Sequence, residues 1–177
     1  MPNKPLNVMA NARGRLLPFS LPFRFFLAAC FYQSLMWVLL FLNPDDLITY
    51  NGGAGPILSA VHLLTLGVLL MTAVGASIQL LSVSTLRPMR SLMACRLLSW
   101  LLIPGVGILV YGMMNLSSLA LVIGGSLVTI ALLIYALLVF DNLVFASGMG
   151  VITAYIWAAI LSLCMIVALG IALIMDY

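Results

Sequence analysis

The chain has 177 residues, 65% of them hydrophobic, and only 6% are charged: seven Lys or Arg, four Asp or Glu, with a single His. A soluble domain carries about 25% charge and 45–50% apolar residues, and one of this size leaves too much surface wet to hide so much apolar area. The numbers exclude a soluble globule, a disordered chain and most enzyme classes, and the net charge of +3 reads as topology rather than affinity for nucleic acid.

Five apolar stretches are long enough to cross about 30 Å of hydrocarbon, which takes roughly 20 helical residues. They lie near Leu21–Leu42, Pro56–Val83, Leu92–Tyr111, Leu116–Phe140 and Met149–Met175. Lipid offers no partners to open backbone groups, so the spans are expected to be helices. Strand alternation is absent, which argues against a β-barrel. The fold class is therefore an all-α integral membrane protein, a bundle of five transmembrane helices in one domain over 1–177, behind a short basic segment over 1–20.

The breaks are chemically sensible. Asn43-Pro44-Asp45-Asp46 and Asn51-Gly52-Gly53-Ala54-Gly55-Pro56 bound the first loop. Arg87-Pro88 marks the second, Asn115-Leu116-Ser117 the third, and Asp141-Asn142 opens the fourth, with Asp141 read as a helix cap. With the N-terminus inside, Lys4, Arg13, Arg15, Arg24, Arg87, Arg90 and Arg96 all fall on the cytoplasmic side. Asp45, Asp46 and Asp176 then face outward. Basic residues set orientation, so the expected topology is N-terminus cytoplasmic and C-terminus outside, in a bacterial inner membrane. Arg24 and Arg96 sit one turn into their spans and can snorkel to the interface. Leu27-Ala28-Ala29-Cys30 looks like a lipoprotein cleavage site, but Arg24 interrupts its apolar core and the chain stays apolar through Leu42; lipidation and a removable signal peptide are both disfavoured. Cys30, Cys95 and Cys164 suit no metal site and read as buried small hydrophobes.

His62 is the only histidine and lies about two turns into the second span, near its outer end. Polar side chains inside hydrocarbon are costly and usually have a partner or a function. At 100° per residue Thr65, Thr72, Ala76 and Gln79 share a side of the helix with His62, a narrow polar and small stripe expected to face other helices or a bound group. Three readings stay open on the residues alone: a histidine hydrogen-bonded across helices, a metal or heme ligand, and a proton relay.

The segment from His62 to Leu81 carries the pattern H-x-x-T-L-G, then G-A-x-x-Q-L-L, on His62, Thr65, Gly67, Gly75, Ala76 and Gln79. It resembles the second helix of a poorly characterised branch of the heme-copper oxidase subunit I superfamily. Leu21-Pro22-Phe23-Arg24-Phe25-Phe26 is similar to that branch's first-helix entry, and helices three to five agree by hydropathy and spacing alone. Ser82-Val83 stands where the branch has Pro-Val. In that family the second-helix histidine ligates a low-spin heme near the outer face, so the resemblance implies a heme, of b type, on His62. The family's other histidines are missing and the chain is under half the usual length, so neither oxygen nor nitric oxide reduction is implied. Two protomers could share one heme through His62 from each; a Met could complete the iron, with Met36, Met71, Met113 and Met114 as candidates; or the sixth position could bind a gas. Tyr50, Asn51 and the amides of Gly52-Gly53 could serve the propionates. The candidate cofactor-binding set is His62, as metal ligand, with Thr65, Met71 and Gln79.

The glycines read first as packing residues. Gly67 and Gly75 lie on one side of helix two; Gly105 and Gly107 follow Pro104, which should kink helix three; Gly124-Gly125-Ser126 forms a small patch in helix four. Room for a flat macrocycle beside helix two is the alternative. Trp37, Phe41 and Tyr50 read as an interfacial belt, and Phe23, Phe25, Phe26 and Phe31 as lipid-facing or packing surface. Asp45-Asp46 reads as a solvated turn that could dock a basic electron carrier. Three functions follow: a heme protein passing electrons or sensing redox state or a gas, a non-enzymatic accessory or assembly subunit of a larger membrane complex, or a small transporter, against which the scarcity of embedded charge and of repeats argues. Partners expected are lipid, a second copy or a larger complex, and an outside electron carrier.

Overall fold

The structure, a computed structural model, describes residues 17–85, 89–144 and 150–175, with the side chains of 150–153, 174 and 175 outside the description. Lys4, Arg13, Arg15, Arg87 and Asp176 lie outside the described residues. Five helices are long and apolar enough to cross a membrane: α1 (Ser20–Leu42), α3 (Pro56–Ser84), α4 (Leu92–Met114), α5 (Ser118–Val144) and α6 (Gly150–Met175). A short α2 (Pro44–Thr49) follows α1. No strand occurs among the described residues. The protein is a multi-pass integral membrane protein.

Punctuation explains most boundaries. Pro44 and Pro56 stand at the first turns of α2 and α3, where a missing N–H costs nothing. Gly52 and Gly53 take φ +98° and +93°, conformations open to glycine and strained for other residues. Ser91 caps α4 by accepting from the Ala94 amide. Helix α4 ends on a six-to-one bond, Ser117 N–H to the Gly112 carbonyl, with Leu116 at φ +52°. This is the Schellman closure, with leucine where glycine is usual.

Asp141 and Asn142 are a correction. They lie inside the last described turn of α5, not in a loop. A carboxylate at a helix C-terminus opposes the macrodipole. Here Arg90 reaches across from the α3–α4 connection and pairs with Asp141 at 3.0 Å.

Side-chain contacts give the directions. Gly67 meets Tyr32 and Gly75 meets Phe25, so α1 and α3 are antiparallel. Gly112 meets Leu121 and Gly105 meets Leu127, so α4 and α5 are antiparallel too. Ser77 with Tyr135, and Thr85 with Asn142, set α3 parallel to α5. Tyr32 donates to the Ile103 carbonyl, tying α1 to α4. The core sits among α1, α3, α4 and α5, on Phe25, Leu63, Met71, Leu98, Leu102 and Val106. Helix α6 packs along α5 and buries none of its central residues, Ala154–Leu173. Charge segregates by end. Arg24, Arg90 and Arg96 share one end with Asp141; Asp45 and Asp46 occupy the other.

The glycines pack as expected. A Cβ on Gly67 would lie 2.7 Å from the Tyr32 Cβ, and one on Gly124 would run into the Leu109 amide nitrogen. Real Cβ atoms do not approach so closely, so bare backbone is what lets these helices touch. Helix α4 runs unbroken through Pro104. Cys95 is buried, but Cys30 and Cys164 are exposed, against the expectation that all three are buried. Phe25 is fully buried while Phe23, Phe26 and Phe31 are exposed, so the aromatic cluster divides between core and lipid surface.

Candidate functional site

Helix α3 is not one regular α-helix. Pro56–His62 is α-helical, Leu63–Leu70 is π-helical and Met71–Ser84 is α-helical again. A π-helix bonds residue i to i+5 and takes about one more residue per turn than an α-helix. Eight such residues shift the phase of everything beyond them. The stripe drawn at a constant 100° per residue therefore breaks at His62.

The structure scatters the candidate residues. His62 is half-buried. Its Nδ1 lies 2.9 Å from the Leu58 carbonyl. A carbonyl only accepts, so Nδ1 carries the proton and Nε2 presents its lone pair. Nε2 meets no hydrogen-bond partner among the described residues. Thr65 is exposed, and its hydroxyl is spent on the Val61 carbonyl at 2.9 Å. Thr72 is exposed as well. Met71 is fully buried in the core. It lies nine residues from His62 on the same helix, on the far side of the π-helical stretch and about two turns away. Gln79 lies a further eight residues along α3, another two turns beyond Met71. Its Oε1 is buried with no hydrogen-bond partner among the described residues. His62, Thr65, Met71 and Gln79 thus form no single pocket.

The space beside Gly67 and Gly75 is also taken. Tyr32 fills the first position and the Phe25 side chain with the Pro22 carbonyl fills the second, both from α1. No macrocycle fits against that face, which corrects the alternative reading of the glycines. The uncovered face of α3 near His62 carries Val61, Leu64, Thr65, Leu69 and Thr72. At that end Tyr50 donates to the Gly53 carbonyl at 3.3 Å. No group of three or more His, Cys, Asp or Glu side chains converges among the described residues.

Two polar clusters escaped the sequence reading. Ser77 and Tyr135 hydroxyls meet at 2.7 Å between α3 and α5. Thr85 donates to Asn142 Oδ1 at 2.6 Å, and Asn142 Nδ2 lies 3.9 Å from the Met89 sulfur. Tyr135 and Asn142 are seven apart, two helical turns on one face; that spacing in an otherwise apolar helix was the available signal. A cavity of about 850 Å³ is a groove between α1 and α4 lined by Arg24, Trp100 and Pro104 among others, with His62 absent from its wall.

No protein-family model, curated protein or solved structure matches this chain.

Proposed function

We propose that this is a heme-binding protein of a bacterial inner membrane, with N-terminus cytoplasmic and C-terminus outside, and that it passes electrons or senses redox state or a gas. His62 supplies one axial ligand per chain to a b-type heme, shared with His62 of a second copy. One observation carries the reading: the only histidine offers Nε2 without a hydrogen-bond partner, beside an uncovered helix face. A backbone carbonyl on Nδ1 is the arrangement that fixes tautomer and ring orientation in metal-bound histidines. Any helical histidine can also bond its fourth preceding carbonyl, so the deciding test is spectroscopic. Protein purified from heme-replete cells is expected to show a Soret band at half a heme per chain, abolished by His62→Ala. A colourless preparation sinks the reading. One heme per chain would move the second ligand inside the chain.

A second reading, an accessory or assembly subunit of a larger membrane complex, is favoured by α6. None of its central residues is fully buried within the chain, and apart from a seam of Ile156, Ile160, Leu163 and Val167 against the core they are exposed, which leaves most of the helix surface for partner contacts. Co-purification with fixed partners and no intrinsic cofactor is the expected signature.

A further inference from the structure

The groove between α1 and α4 takes no lining residue from α3 or α5, and its wall has a consistent polarity. Arg24 stands at one end, one turn inside the start of α1. Leu27, Phe31, Trp100 and Pro104 carry the wall onward, and Ser34 closes the far end. Arg24 and Ser34 are ten residues apart, about 15 Å along the helix. That is half of a roughly 30 Å hydrocarbon core, the depth of one leaflet. The volume, about 850 Å³, lies within the range of ligand-binding clefts, about 300–1,000 Å³.

Three features distinguish this groove from an ordinary seam between helices. The Arg24 guanidinium is exposed and has no acidic partner among the described residues. Arg96, also exposed and also without an acidic partner among the described residues, lies outside the groove lining but starts the same end of α4, so it adds no compensating charge there. Trp100 is exposed within the groove, two turns inside α4, and its indole N–H meets no acceptor among the described residues. Buried or lipid-immersed indoles usually find one. Pro104 adds an acceptor, because it has no N–H to give the Trp100 carbonyl four residues back.

We propose that this groove binds one anionic phospholipid. The phosphate pairs with Arg24, an ester carbonyl accepts from the Trp100 indole, and one acyl chain lies over Leu27, Phe31 and Pro104. A zwitterionic lipid offers the same chain and carbonyl but cancels the phosphate charge with its own amine. Anionic selectivity therefore reports on Arg24, and ordinary wetting of an apolar surface does not produce it. The proposal is independent of heme on His62, because the two sites share no residue.

The test uses the full-length protein with Trp37→Phe and Trp157→Phe, which leaves Trp100 as the sole tryptophan. It is reconstituted in phosphatidylcholine vesicles containing phosphatidylglycerol or phosphatidylcholine brominated on one acyl chain. Brominated phosphatidylglycerol is expected to quench Trp100 at about one-fifth the mole fraction that brominated phosphatidylcholine needs, the weight of one basic residue on an anionic lipid. Arg24→Gln should erase the preference, and Arg90→Gln, outside the groove, should keep it. Equal quenching by the two lipids in the protein with Arg24 intact overturns the proposal, whatever the variant's folding. So does a preference that survives Arg24→Gln.

Discussion

Helix α5 is held by two neighbours in opposite ways. Against α4 the backbones touch: a Cβ on Gly112 would lie 2.7 Å from the Leu121 nitrogen, and one on Gly124 is blocked by Leu109. Against α6 there is no such approach. A Cβ on Gly170 would meet nothing within 4 Å, and the principal aromatic contact is Phe140 on Trp157, edge to face at 5.3 Å. Yet α6 is the more apolar of the two partners. Lipid tails are as apolar as leucine, so burying leucine against leucine gains little there; close van der Waals approach and interhelical hydrogen bonds decide which helices pair. Apolarity puts a helix in the membrane, and glycine places it against a neighbour.

The largest effect that would break this contrast lies at Gly124. Gly124→Val puts branched carbon where the Leu109 backbone already stands, and α4 and α5 must separate. Overpacking typically costs 1–3 kcal/mol, so a loss of about 3 kcal/mol is expected, read by unfolding in SDS–detergent mixtures followed by circular dichroism. An unchanged midpoint would show that the interface yields cheaply and that backbone contact is not what holds it.

A gain is expected at the turn that joins the same helices. Leu116 closes α4 at φ +52° with its side chain largely exposed. A left-handed conformation costs an L-residue about 1–2 kcal/mol, from which glycine is spared. Glycine's greater freedom in the unfolded chain returns part of that. Leu116→Gly should therefore stabilise by roughly 1 kcal/mol in the same assay. A loss would mean that Leu116 packs more than its exposure indicates.

The five spans, the glycine contacts and the gathering of Arg24, Arg90 and Arg96 at one end were legible because each follows from a single local rule. Hydrocarbon demands helices, glycine permits close approach, and basic residues gather at one end. The candidate site was not legible in the same way. The stripe through His62, Thr65, Thr72 and Gln79 assumed a constant helical phase, and the π-helical stretch Leu63–Leu70 breaks it. Nothing in a Leu-rich run announces five-residue spacing. The last turn of α5 was misread for a related reason. Asp141-Asn142 looks like a loop by composition, but Arg90 from one connection and Thr85 from α3 supply the partners that keep both residues helical. The α1–α4 groove was hidden because it depends on the gap between two helices 70 residues apart in the chain, and that gap is set by Tyr32 reaching the Ile103 carbonyl.

The smallest effect sharpens the comparison from the other side. Gly170→Leu adds a large side chain to α6 where a Cβ finds open space. Within the single chain nothing is displaced, so the free energy of unfolding should change by less than about 0.5 kcal/mol, as for a surface site. The same substitution separates the two readings of the function. In a protein that works through His62 the Soret band, if present, keeps its intensity and position. In a subunit that docks through α6, the added side chain projects into the partner, and the partner is lost on purification while the chain itself stays folded. A fall in the unfolding midpoint of the isolated chain would contradict both outcomes, because it would place Gly170 against a neighbour within the bundle and remove the contrast between the two faces of α5.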